Sequence, residues 1–192
     1  MVNIREKIIE SIEVKTALLE DQTLLDNIQK ISDVIVSALN DGKKVLFCGN
    51  GGSAADAQHL AAELSGRFYY DRPPLDAEAL HVNTSYLTAV ANDYSYDEIY
   101  ARLIKGKGRS GDVLIGISTS GNSKNILRAY EVAKELGMIC VSMTGQTGGK
   151  MAENSDILLN VPSTDTPRIQ ESHILIGHLI CEIVEATIFP KP

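Results

Sequence analysis

The sequence predicts an α/β fold: a single parallel sheet flanked by helices on both faces, with an N-terminal helical extension. Three observations carry this. Short apolar runs alternate with helical patterns along most of the chain. Two of those runs pass straight into polar turns, "GNGGS" at Gly49–Ser53 and "STSGNS" at Ser118–Ser123, and each turn opens a helix. The chain has 192 residues, 44% hydrophobic and 22% charged, which suits one domain over residues 1–192 around a single sizeable core.

The elements follow in order. From about Val2 to Leu39 apolar residues recur at helical spacing (Ile4, Ile8, Ile12, then Leu24, Ile28, Ile31, Ile35), giving two helices with a break near Asp21–Thr23. A strand is expected over Lys44–Cys48 and a helix over Ser53–Ser65. Pro73 and Pro74 break the next loop, which ends in a short strand near Ala79–Val82. The stretch from Thr84 to Lys105 reads as two helical pieces interrupted around Asn92–Ser95. "GDVLIGIS" is a strand, followed by the hydroxyl-rich turn and a helix closed by Gly137. "MICVSMTG" and "DILLNVP" are further strands, the latter expected to be long, and "TPRIQESHILIGHLICEIVEATI" is a long final helix, apolar on nearly every side and expected to be buried.

Charge and composition exclude some functions. A formal net charge of −7 and the lack of any Lys/Arg-rich block argue against nucleic acid as the main partner. No apolar run reaches membrane-spanning length, and the charged start "MVNIREKIIESIE" is not a signal peptide. Cys48, Cys140 and Cys181 are odd in number and far apart, as reduced core thiols would be. A cytoplasmic protein is expected.

The two turns carry the chemistry. In open parallel sheets ligands bind at the carboxyl ends of strands, where helix N-termini point free N–H groups. "GNGGSAAD" has neither the spacing of a dinucleotide fingerprint nor the Lys-Ser/Thr ending of a nucleotide P-loop. In "STSGNS", Ser118, Thr119, Ser120 and Ser123 offer four hydroxyls at a helix start, more than one N-cap needs, which favours a phosphate cradle. His59 and Glu63 stand four residues apart on one helical face, able to share a metal ion or to act as a proton-transfer pair. In the final helix His178 is either a satisfied core histidine or a ligand; Gln170 and Glu171 lie about two turns earlier, and periodicity does not choose between them. His81 and His173 have no comparable context and are read as structural.

Together these residues resemble the sugar-isomerase (SIS) family, and within it the bacterial phosphoheptose isomerase branch. The resemblance spans essentially the whole chain through "CGNGGSAADAQHLAAEL", "AVANDYSYDEIY", "GDVLIGISTSGNSKNI", "TGGKMAENSDILLNVP" and "RIQESHILIGHLICEIVE". It implies substrate contacts at Asn50, Gly51, Gly52, Glu63, Asn92, Asp93, Ser118, Thr119, Ser120, Ser123 and Gln170. It also implies one zinc per subunit on His59, Glu63, Gln170 and His178, with Glu63 and His178 catalytic. The implied reaction converts sedoheptulose 7-phosphate to D-glycero-D-manno-heptose 7-phosphate through a cis-enediol(ate), in heptose biosynthesis for lipopolysaccharide or capsule. The implied assembly is a homotetramer with active sites at subunit interfaces. The rival expectation is a non-catalytic SIS module that binds a phosphosugar or a replication or transcription protein.

Overall fold

A computed structural model of the chain describes residues 2–191. Helix α1 (Ile4–Glu20) is capped by Asn3, whose side chain accepts the N–H groups of Arg5 and Glu6. Asp21 both ends α1 and caps α2 (Gln22–Asn40) by accepting the Leu24 N–H at 3.0 Å, so the expected break falls on this one residue. The sheet comprises β1 (Val45–Gly49), β2 (Ala77–Ala79), β3 (Val113–Ser118), β4 (Ile139–Thr144) and β5 (Ile157–Asn160). All neighbouring strands are parallel, in the order β2-β1-β3-β4-β5. Between them run α3 (Gly52–Ser65), α4 (Thr84–Asp93), α5 (Ile99–Lys107) and α6 (Lys124–Glu135), and α7 (Thr166–Ile188) closes the fold.

Every residue of β1 and of β3 is buried, which explains why both read as unbroken apolar runs: each is covered on both faces. One layer joins α2, α3 and α7 through Ile31, Leu60, Leu64, Ile176 and Val184. The opposite layer joins α4, α5 and α6 through Val90, Tyr100, Ile104, Ile126 and Tyr130. Each fully buried aliphatic side chain of this kind contributes about 1.5–3 kcal/mol.

Three details depart from expectation. Strand β2 lies at Ala77–Ala79 rather than 79–82, because the chain turns after Leu80 to set Asn83 as the cap of α4. Strand β5 is short rather than long, since it is the sheet edge and Pro162 follows closely. Helix α7 is not covered all round: Leu175 and Leu179 are 38% and 40% exposed, as are Ile4, Ile8 and Ile12 of α1 to a greater degree.

The order places a topological switch between β1 and β3. From β1 the chain crosses to β2 on one side, from β3 to β4 on the other, opening a crevice at their carboxyl ends. Both polar turns sit at that crevice.

Candidate active site

The turn after β1 is built to bring backbone close. A Cβ on Gly49 would lie 2.4 Å from the Ser53 carbonyl oxygen, and one on Gly52 would lie 2.5 Å from Nε2 of Gln170. Gly51, at φ 56°, is the N-cap of α3 and offers no side-chain cap. Gln170, in the first turns of α7, thus lies against the glycine turn.

The turn after β3 is a cluster of hydroxyls. Ser118 Oγ lies 2.8 Å from Ser123 Oγ and 3.5 Å from Ser120 Oγ. Ser123 is the N-cap residue of α6, yet its hydroxyl makes no capping bond and turns to Ser118 instead. The surplus over capping seen in the sequence is therefore real in space. A cavity of about 270 Å³ opens beside it, lined by Thr119, Ser120, Thr147, Ser163 and Thr166, and reaching the start of α7.

The two turns are tied together by a pair the sequence reading missed. The side-chain amides of Asn50 and Asn125 bond reciprocally, Nδ2 of Asn50 to Oδ1 of Asn125 at 3.0 Å and the reverse at 2.8 Å. Tyr96 donates its hydroxyl to Asn50 Oδ1 at 3.0 Å, and the buried Tyr100 hydroxyl donates to the Gly49 carbonyl. These bonds fix which way the Asn50 amide faces. Its second Nδ2 hydrogen is left for another acceptor.

Further along α3, His59 and Glu63 meet His178 of α7. His59 Nε2 is 3.0 Å from Glu63 Oε1 and 3.1 Å from His178 Nε2. One ligand-capable atom from each of the three residues lies within 4.8 Å of the others. The reading of His178 as a lone core histidine gives way: it is partly exposed and faces these two side chains. An imidazole nitrogen carries either one proton or one lone pair, so His59 Nε2 cannot donate to one of these neighbours and accept from the other. A tetrahedral zinc with ligands at about 2.0–2.1 Å holds its donors about 3.4 Å apart, close to the spacing here, so His59, Glu63 and His178 fit such an ion. Asp56, one turn earlier, has a buried Oδ2 without a hydrogen-bond partner, and burial pushes its carboxyl pKa up against the pull of His59 and His178.

Other predicted residues stand apart. Asn92 and Asp93 are exposed at the end of α4, where Asn92 donates to Asp93 Oδ1 at 3.0 Å; no bond joins them to the three-residue centre. Glu171 is turned toward α1, accepting from Ser11 and Arg168, so Gln170 rather than Glu171 faces the turn. His173 is fully buried and donates from Nε2 to the Thr144 carbonyl at 3.0 Å, a structural role as expected.

The SIS domain family model matches residues 10–145. A phosphoheptose isomerase of Mycobacterium tuberculosis is 56% identical over 96% of this chain and 94% of its own length. Another, from Burkholderia pseudomallei, is 52% identical over 98% and 95%. The solved phosphoheptose isomerase of Neisseria gonorrhoeae superposes with a TM-score of 0.90 at 42% identity, covering 95% of this chain and 97% of that one. Among the described residues no helix is long and apolar enough to cross a membrane. With matches of this extent the chain belongs to the SIS-domain family and, within it, to the phosphoheptose isomerases, enzymes that isomerise phosphosugars.

Proposed function

We propose that this enzyme isomerises sedoheptulose 7-phosphate to D-glycero-D-manno-heptose 7-phosphate through a cis-enediol(ate), for lipopolysaccharide or capsule heptose, working as one SIS domain over residues 1–192 in the cytoplasm. The convergence of His59, Glu63 and His178, on the helix that the glycine turn opens and on the helix packed against it, is the observation that carries this reading.

Ser118, Thr119, Ser120 and Ser123 hold the phosphate with hydroxyls and free α6 N–H groups, no lysine being needed. The open-chain sugar leaves the cradle through the adjoining cavity toward Gln170 and the glycine turn, where Asn50, Gly51 and Gly52 contact it. Asn92 and Asp93 complete the contacts, from a neighbouring subunit if the assembly is a homotetramer with interface sites. The exposed Ile4, Ile8 and Ile12 of α1, with Leu175 and Leu179 of α7, offer the apolar surface such an assembly would cover.

Moving the carbonyl from C2 to C1 needs one carbon-bound proton removed and one returned. Glu63 takes the C1 proton as a carboxylate and returns it to C2, and His178 exchanges protons with the substrate oxygens. Remote binding of the phosphate holds C1 and C2 against Glu63. Zinc, one per subunit, would be held by His59, Glu63 and His178 and would supply Lewis-acid stabilisation of the developing oxyanion. Gln170, the fourth ligand the resemblance implies, lies against Gly52 about two helical turns away and does not join these three within one chain.

The test is product identity after incubating purified protein with a panel of ketose phosphates, with and without a chelator. Turnover of sedoheptulose 7-phosphate above the others, lost on chelation and restored by zinc, is expected. Turnover of a different ketose phosphate would reassign the substrate. Binding without turnover would favour the non-catalytic module.

A further inference from the structure

Arg72 and Glu185 form the most deeply buried ion pair of the described residues, their side chains 2% and 1% exposed, with Nε 3.0 Å from Oε1. Neither belongs to the set of binding and catalytic residues above. A buried pair of this kind rarely adds net stability over apolar side chains of similar volume, so its retention calls for another reason.

The bonding pattern supplies one. Helix α3 ends at Ser65, two residues after Glu63, and its last carbonyls have no partners within the helix. The Arg72 guanidinium takes them: Nη2 donates to the Glu63 carbonyl at 2.8 Å, and Nη1 to Leu64 at 2.7 Å and Gly66 at 3.1 Å. A cation here also meets the negative end of the helix dipole. Glu185 lies two turns beyond His178 on α7, and its carboxylate accepts the N–H groups of Phe68 at 2.9 Å and Tyr69 at 2.8 Å. Burial opposes its ionisation, but those two bonds and Arg72 outweigh it and hold the Glu185 pKa below the usual carboxylate range. The loop so pinned lays the Phe68 ring against the His178 imidazole, centroids 5.7 Å apart.

We propose that Arg72 and Glu185 are positioning residues for the His59–Glu63–His178 centre, locking the helix end that carries Glu63 to the helix that carries His178. The planar guanidinium fork sets distance and angle at once, which a lysine ammonium does not. This rests on the isomerase reading of the site. Shifts of about 1 Å at such a centre cost about 100-fold in rate, and lost supporting bonds about 10–100-fold in metal affinity or activity.

The experiment uses full-length Arg72→Lys and Glu185→Gln, assayed well below their melting temperatures. Kinetics on sedoheptulose 7-phosphate are read beside Co²⁺ affinity measured by visible absorption. The expected result is kcat down about 10–100-fold with KM within about twofold, and Co²⁺ bound about tenfold more weakly. Free guanidinium at millimolar concentration should restore part of the kcat of Arg72→Ala, where methylammonium does not. Folded variants with lowered melting temperature but wild-type kcat and Co²⁺ affinity would overturn the proposal. Should neither variant fold, Phe68→Leu tests the same link from the loop, and unchanged kcat and Co²⁺ affinity there would overturn it equally. A wild type that binds Co²⁺ but turns over no phosphosugar ends the isomerase reading, and the affinities still judge the clamp; one that does neither overturns both.

Discussion

At the end of β1 the chain turns on Gly49, Gly51 and Gly52 and offers little but backbone; one strand away, after β3, it turns on Ser118, Thr119, Ser120 and Ser123 and offers hydroxyls. The glycine turn is shaped by what must come near it, with backbone of Ser53 and the Gln170 amide where side chains would otherwise be. Its chemistry is displaced two to three turns along α3, to His59 and Glu63. The hydroxyl turn carries its chemistry within itself and needs glycine for close approach mainly at Gly121, where a Cβ would lie 2.0 Å from the Gly148 carbonyl oxygen. One turn thus makes room and the other makes contacts. Binding and catalysis should separate along that line.

The largest expected effect breaks the catalytic half. Glu63→Gln should lower kcat about 1000-fold or more while circular dichroism and melting temperature stay near wild type. Turnover by the wild type in deuterated water should place deuterium on C2 of the aldose. A folded, zinc-loaded Glu63→Gln at near full rate would move the proton-transfer role elsewhere.

The next effect concerns a third strand end that is plugged rather than open. After β4 the Thr144 carbonyl is taken by His173, and burial, partly offset by that bond, pushes the His173 pKa down to about 4. Above pH 6.5 the ring is neutral folded or unfolded and adds no pH dependence. Between pH 6.5 and 4 only the unfolded chain takes the proton, so stability falls as pH drops, by about 1.4 kcal/mol per unit and about 3 kcal/mol in all. Urea unfolding across that range should give this slope for the wild type and a shallower one for His173→Gln. Equal slopes would show that other groups carry the acid sensitivity.

The binding half is probed by Ser120→Ala with Ser123→Ala. Hydroxyl bonds to a charged group are worth about 1.5 kcal/mol or more, so KM should rise about 10–100-fold with kcat nearly unchanged. Inorganic phosphate should raise the melting temperature of the wild type and not of the double variant. A fall in kcat with unchanged KM would join the two turns into one functional unit.

The alternation of strand and helix, the two turns and the His59–Glu63 pair were legible in the sequence because each rests on local spacing. A break near Asp21–Thr23 was legible too, as a gap between two periodic runs, though the cap on Asp21 itself came from the structure. The Asn50–Asn125 pair was not, since an amide has no preferred spacing and its partner lies 75 residues away. Nor was Arg72–Glu185, 113 residues apart, where nothing local marks a charge as buried. The length of β5 was misread because "DILLNVP" looks the same at an edge as in the middle of a sheet. Periodicity could not tell Gln170 from Glu171; the resemblance implied Gln170, and the contact of Glu171 with Ser11 of α1 gives the physical reason.

Asp21, as the lone residue between α1 and α2, has a kinetic consequence. Helix α1 has Leu18 as its one fully buried residue and leaves Ile4, Ile8 and Ile12 in solvent, so an isolated chain can open it about that joint without disturbing the sheet. Its amides should therefore exchange with deuterated solvent far faster than those of β3 when the protein is dilute. Slowing of α1 exchange as concentration rises would mean that other copies close over it, making this helix a built-in gauge of assembly. Rates in α1 that stay fixed from nanomolar to micromolar protein would mean that no second chain covers it.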